Sequence, residues 1–196
     1  MVFDGIILAF IVGFLRKGNL KGLAELKLKG GLVFPLLLIL QIAVFSLQNK
    51  ISLLGNLSGY IFILVYVVGL WFLYLNRTHH GFMVIFIGVL LNFLVMAANG
   101  GRMPVSVEAA AVLDPYYVET LKQGLYGKHF LLSETTKLGF LGDIIPLSAP
   151  YPRTQVISIG DIIMNIGIFI FIQHLMVGDK NSEKDADTGL LQKEVN

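Results

Sequence analysis

Apolar residues fall in five long runs separated by short polar stretches, and this pattern predicts the architecture. The runs cover residues 2–15, 32–47, 57–75, 82–98 and 156–177. A helix of about 20 apolar residues crosses the ~30 Å hydrocarbon core of a bilayer, so each run reads as a membrane span. The first is short: at about 1.5 Å per residue it reaches only roughly 21 Å, and it spans by locally thinning the bilayer. The fold class is therefore all-α: a polytopic helical membrane protein of five transmembrane helices. One large hydrophilic loop, 99–155, interrupts them. The membrane domain covers residues 1–178. The tail, 179–196, has three Lys, five acids and no apolar period, and is expected to be disordered.

Polar positions inside the runs carry further information. Pro35 falls in a first helical turn, where its missing N–H costs little. Gln41 is placed to bond another helix. Tyr60 lies near one end of the third run, and Trp71 and Tyr74 near the other, as interfacial aromatics do. In the fourth run Gly88, Asn92 and Asn99 share one helical face. In the fifth, Ser158, Asp161 and Asn165 share a face, with Gly160 and Gly167 nearly opposite. Small residues let helices approach closely, so Gly160 and Gly167 are expected to receive a neighbour, with the Gly88 helix a candidate.

Within the loop, Ser106 is placed to cap a short helix through Leu113. Asp114-Pro115 reads as N-cap and first residue of a second helix ending near Gly124. Pro146, Pro150 and Pro152 then keep the chain extended.

Charge sets orientation. Arg16, Lys17, Lys21, Lys27 and Lys29 stand against Glu25 alone, a net +4 between the first two runs. Such loops stay in the cytoplasm. The N-terminus is then outside, the 99–155 loop extracytoplasmic and the tail inside, in a bacterial cytoplasmic membrane. The same basic segment also fits contact with anionic lipid. Composition agrees: 55% of residues are hydrophobic and 14% charged, against about 25% charged in soluble domains. A formal charge of +2 gives no ground for nucleic acid as a partner; the expected partners are membrane lipids and a partner membrane subunit. The chain has no Cys, which removes thiol chemistry and thiolate metal sites.

Candidate chemistry concentrates in and beside the loop. Asp161 is a carboxylate at membrane depth, costing about 2.5–3.5 kcal/mol on insertion scales, and so is a site candidate or a piece of structural glue. Asn92, Asn99 and Arg102 lie at the end of the fourth run, facing the start of the fifth. They are expected to form one polar cluster with Asp161 and Asn165, with Asp143 closing it. Arg102, His129, Asp143 and Asp161 would suit acid–base work on a lipid-linked substrate at the outer leaflet, or a divalent cation. No spacing matches a nucleophile, phosphate-loop or metal motif, so no catalytic residue is assigned, and any cofactor or metal is unknown. The leading reading is an outer-facing polar pocket for a small ligand, lipid or partner subunit. The alternatives are a membrane-embedded enzyme and an ion or solute pathway, against which the scarcity of charges within the runs speaks. Gly-Asp-Ile-Ile occurs twice, at 142–145 and 160–163, and reads as coincidence in an Ile-rich chain.

Three motifs carry a resemblance: Asn-Gly-Gly-Arg-Met-Pro-Val at 99–105, Leu-Gly-Asp-Ile-Ile-Pro at 141–146 and Ile-Ser-Ile-Gly-Asp-Ile-Ile at 157–163. Together they resemble a family of small multi-pass bacterial membrane proteins, a domain of unknown function from Gram-positive and related anaerobic bacteria. The resemblance covers about residues 1–178. It implies the topology above and no activity.

Overall fold

A computed structural model describes the backbone of residues 2–124 and 127–194, and side chains of residues 4–124 and 127–178. The chain is mostly helical. Its apolar runs form α1 (Val2–Leu15), α3 (Val33–Leu47), α4 (Ser52–Leu75), α5 (Phe82–Ala98) and the start of α8 (Ile159–Glu194), with a one-turn α2 (Lys21–Ala24) in the basic loop. Two helices are long and apolar enough to cross a membrane, Ser52–Leu75 and Ile159–Gly178. The other three apolar helices are shorter.

Two boundaries differ from the sequence reading, each for a local reason. Helix α4 begins at Ser52, ahead of residue 57, because the polar turn is confined to residues 48–51 and Ser58 Oγ donates back to Gly55 O at 2.7 Å within the helix. Helix α8 begins at Ile159, because residues 155–157 form a strand and Ser158 caps the helix. The backbone of α8 continues as helix through Glu194. The expected disordered tail lies on this stretch, whose side chains fall outside the described residues.

Helices α5 and α8 pack through paired glycines. A Cβ on Gly88 would stand 2.5 Å from Gly160 O, and one on Gly167 would stand 2.6 Å from Ile85 N and 2.9 Å from Gly81 O. Gly81 faces Gly167, and Gly88 faces Gly160, so two heptad-spaced pairs run antiparallel along the contact. This is the close approach expected of Gly160 and Gly167. The expectation that α8 keeps its polar and small faces nearly opposite is corrected: Asn92 of α5 lies against Gly160 and also bonds Ser158 and Asp161. On the other side α8 meets α1, where Gly5 lies against Asn165.

Contacts sort the chain into two ends. At one, Asn19 N donates to Met176 O, Arg16 reaches Gln173, and Asn76 holds the backbone of Lys29 at 2.8 and 2.9 Å. The basic loop, the α4–α5 turn and the far part of α8 thus share this end. At the other end, Gln155 and Arg153 reach Asp4. Between the ends, the apolar helices leave large side chains uncovered. In α3 only Val44 is buried, while Phe34, Leu36, Ile39 and Ile42 are exposed. Tyr60, Trp71 and Tyr74 are also exposed.

The loop between α5 and α8 folds as a cap, and it is not purely helical. Two short helices, α6 (Val107–Ala110) and α7 (Pro115–Lys122), are capped by Ser106 and Asp114 as expected. Four short strands were not expected. Strand β1 (Met103–Val105) pairs in parallel with β2 (His129–Leu131). Strand β3 (Ile145–Leu147) pairs antiparallel with β4 (Gln155–Ile157). At three residues each, these strands are too short to show a period-2 pattern.

Candidate functional site

The cap is held to the bundle by the 99–105 motif. Asn99 and Gly101 donate to Met96 O and close the end of α5. Gly100 and Gly101 have φ of +67° and +82°, a conformation glycine adopts without steric cost. The turn lies directly on Gly59 of α4. Asn99 grips the loop around Lys137, donating to Lys137 O at 2.7 Å and accepting from Lys137 N at 3.1 Å. Arg102 donates to Gly127 O and, at 3.3 Å, to Ser58 Oγ. Both residues are anchors of the cap, and the expectation that they join Asp161 is corrected: their polar groups are occupied elsewhere.

Asp161 is joined by Asn92 and by Ser158. Asn92 Nδ2 donates to Asp161 Oδ1 at 2.9 Å, and Ser158 Oγ donates to Asn92 Oδ1 at 2.8 Å. Ser158 N donates to Asp161 Oδ2 at 3.2 Å, and Asp161 N donates to Ser158 Oγ at 3.0 Å. The last two bonds are a reciprocal capping box. Its signal, Ser-x-x-Asp before an apolar run, is present in the sequence. The carboxylate also sits in the first turn of α8, where the helix dipole favours it by about 0.3–1 kcal/mol. Both its oxygens are therefore engaged, Oδ1 in holding α8 to α5 and Oδ2 in capping α8 itself. Asn165 Nδ2 donates to Asp161 O at 2.8 Å, and its Oδ1 is buried without a hydrogen-bond partner against Gly5.

His129 and Asp143 come together elsewhere, inside the cap. Strand β1 is the reason. Its Val105 pairs with Leu131 on one side and bridges to Asp143 on the other. Asp143 N donates to Pro104 O, and Ser106 N donates to Asp143 O, both at 2.9 Å. His129 Nε2 then lies 3.5 Å from Asp143 Oδ2. The two Gly-Asp-Ile-Ile copies differ in conformation, the first leading into β3 and the second opening α8. The repeat is coincidental in structure.

His129 and Asp143 line a cavity of about 630 Å³. Asp114 and Tyr117 of α7, with Thr154 and Gln155 before and on β4, supply its other polar groups. Val105, Val112, Leu113, Leu121 and Val156 form apolar walls. Asp143 is 7% exposed. Burial pushes its carboxyl up to about 8, and the Asp161 charge adds to this while Lys128 opposes it. Asp161 thus reaches the cavity through its field. The Lys128 ammonium is held above its ordinary value by Tyr66, with Asp143 and Asp161 adding to that against the effect of burial. It lines a separate groove with Gln41, Ile42, Phe45 and Phe62. Among the described residues, no three His, Asp or Glu side chains converge to hold a metal ion. The sequence reading missed Tyr117, Gln155 and Lys128 as site residues, and treated Asp114 only as a cap.

The family model for DUF5317, a family of unknown function, matches residues 25–173. The chain belongs to this family. The match takes in the whole cap and both polar centres. A Thermotoga maritima protein described only as uncharacterized is 32% identical over 171 residues, 87% of this chain and 89% of that one. No solved structure matches. A family of unknown function was expected from the three motifs; its description carries neither the membrane setting nor the Gram-positive distribution expected with it.

Proposed function

We propose that this DUF5317 protein is a five-span integral membrane protein whose extracytoplasmic cap encloses a pocket for a small ligand. The observation that carries the reading is the cap cavity, whose walls combine apolar side chains with Asp114, Tyr117, His129, Asp143 and Gln155. Its volume of about 630 Å³ falls within the roughly 300–1,000 Å³ of small-molecule sites.

Five spans are supported by the alternating course of α1, α3, α4, α5 and α8 between two ends. Their exposed apolar side chains support it too, since lipid is the solvent that covers such a surface without cost. The basic loop at the opposite end supports an outward-facing cap. Asp161, with both oxygens engaged, is read as the joint beneath the pocket.

The absence of Cys makes the topology directly testable. Tyr117→Cys is expected to react with a membrane-impermeant maleimide in intact cells, and Lys27→Cys only after permeabilisation. The reverse pattern overturns the orientation. Native mass spectrometry of the purified protein is expected to find a small molecule retained. A retained phospholipid or a second protein chain, with no small molecule, would replace the ligand reading by the lipid or subunit one.

A further inference from the structure

The geometry points to a small organic cation, an ammonium group on an apolar body, as the occupant of the cap cavity. This rests on the reading of that cavity as a ligand pocket. Its charged lining is Asp114 and Asp143, with the His129 imidazole beside them, and no Lys or Arg lines it among the described residues. The nearby cations are directed elsewhere. Arg153 stands 3.7 Å from Asp4 on α1, and Lys128 lines the other groove. An anion entering the cavity would meet the Asp114 carboxylate and the buried acid of Asp143, with no Lys or Arg in the lining among the described residues. Among the described residues a metal ion would lack a converging ligand set.

An organic cation uses what remains. Its ammonium donates charge-assisted hydrogen bonds to a carboxylate. The Tyr117 ring lines the same cavity, and aromatic rings attract ammonium groups placed over them. Val105, Val112, Leu113, Leu121 and Val156 receive the hydrocarbon. Asp143, almost wholly buried, is the group that gains most from a cation, because Coulomb attraction is least screened there.

Binding is then coupled to a proton. Asp143 is faced by His129 from β2 and Lys128 just before it. Asp161 of α8 acts on it from the bundle, where Tyr66 of α4 in turn feels its charge, and Asp114 and Tyr117 share its cavity. Burial pushes its carboxyl up to about 8, so at neutral pH it is largely protonated. An arriving ammonium displaces that proton, and affinity rises with pH until about 8, approaching tenfold per unit below it.

The test is calorimetry on the full chain in lipid nanodiscs, against empty nanodiscs. The probes are phenethylammonium, 2-phenylethanol and 3-phenylpropionate. Phenethylammonium is expected to bind at least about tenfold more tightly than either of the others. Its affinity should climb from pH 6 to 8 and level off above that. Asp143→Asn should erase the preference and the slope. Asp114→Asn, which keeps an N-cap side chain for α7, should reduce the preference and keep the slope. The three-probe comparison on the unaltered protein decides the matter even where a variant fails to fold. Equal binding of the alcohol, or tighter binding of the carboxylate, overturns the cation and leaves the pocket standing. Binding by none of the three overturns both.

Discussion

At the scale of single residues, two carboxylates that look alike in sequence have opposite situations. Asp161 is committed to Asn92 and to the Ser158 cap, whereas Asp143 is buried on the wall of a cavity. Ser158→Ala removes an N-cap worth about 1 kcal/mol and leaves Asn92 Oδ1 without its donor, which costs about 1–3 kcal/mol more. Asp161→Asn keeps one acceptor and turns an NH₂ toward a donor, so a loss of about 1 kcal/mol is expected. An Asn92→Ala and Asp161→Asn cycle, read by denaturation in detergent, should show a coupling of about 0.5–3 kcal/mol; strict additivity would mean the bond contributes nothing. For Asp143 the linkage runs the other way from an ordinary ion-paired acid. Its folded value is about 8 and its ordinary value 3.8. Between them the folded state keeps a proton that the unfolded chain has released, so stability falls as pH rises through this window and is level above it. The slope has an upper bound of about 1.4 kcal/mol per pH unit. Asp143→Asn removes that loss, so the variant should gain on the parent between pH 5 and 8 in thermal midpoint. Parallel curves would show that Asp143 is not the titrating group.

At the scale of elements, the α5–α8 contact depends on having no Cβ at four positions. A methyl on Gly88 meets the backbone of α8 at Gly160 and Met164, and one on Gly160 meets Gly88 O at 2.7 Å. Backbone cannot rotate out of the way, so the helices must separate and the Asn92 bonds stretch. Gly88→Ala and Gly160→Ala should each cost about 1–3 kcal/mol. Gly69→Ala is the control. Nothing lies within 4 Å of its added carbon, and exchange of Gly for Ala in a helix interior favours the helix by up to about 1 kcal/mol. Thermal midpoints of the three variants give the comparison, and equal midpoints for Gly88→Ala and Gly69→Ala would remove the close-packing argument. The glycine spacing in α8 was legible in the sequence because helical periodicity is local. Its partner at Gly81 was not, because that residue lies in a turn and joins the contact only once α5 and α8 are side by side.

At the scale of the whole molecule, a cap rests on a helical bundle and Arg102 is one of the ties between them. Its guanidinium reaches Gly127 O in the cap and Ser58 Oγ in α4. Ser58 is fully buried and both Arg102 bonds are partly buried; hydrogen bonds to a charged group contribute about 1.5–3 kcal/mol. Arg102→Ala should leave helical circular dichroism unchanged and speed limited proteolysis between residues 103 and 157. Unchanged cleavage there would show that Asn99 and the Gly59 contact suffice. Coupling between cap and bundle also runs through charge, since Asp161 of α8 raises the carboxyl of Asp143.

The sequence by itself determined where the apolar helices lie, where the basic loop falls between them, and how α6 and α7 are capped. Each of these is decided within one or two turns of chain, by side-chain hydrophobicity, proline geometry or a single hydroxyl or carboxylate. It also placed His129 and Asp143 among the candidates, in one set with Arg102 and Asp161 that the structure divides. Only the tertiary structure decided the rest. Arg102 turned away from Asp161 because Gly127 O and Ser58 Oγ were nearer claims on its donors. His129 and Asp143 met because β1 pairs with β2 on one side and bridges to Asp143 on the other. The cavity exists because Asp114 and Tyr117 of α7 stand across from β4. These are contacts between segments far apart in the chain, each too short to announce its pairing, and no spacing along one dimension encodes where they cross.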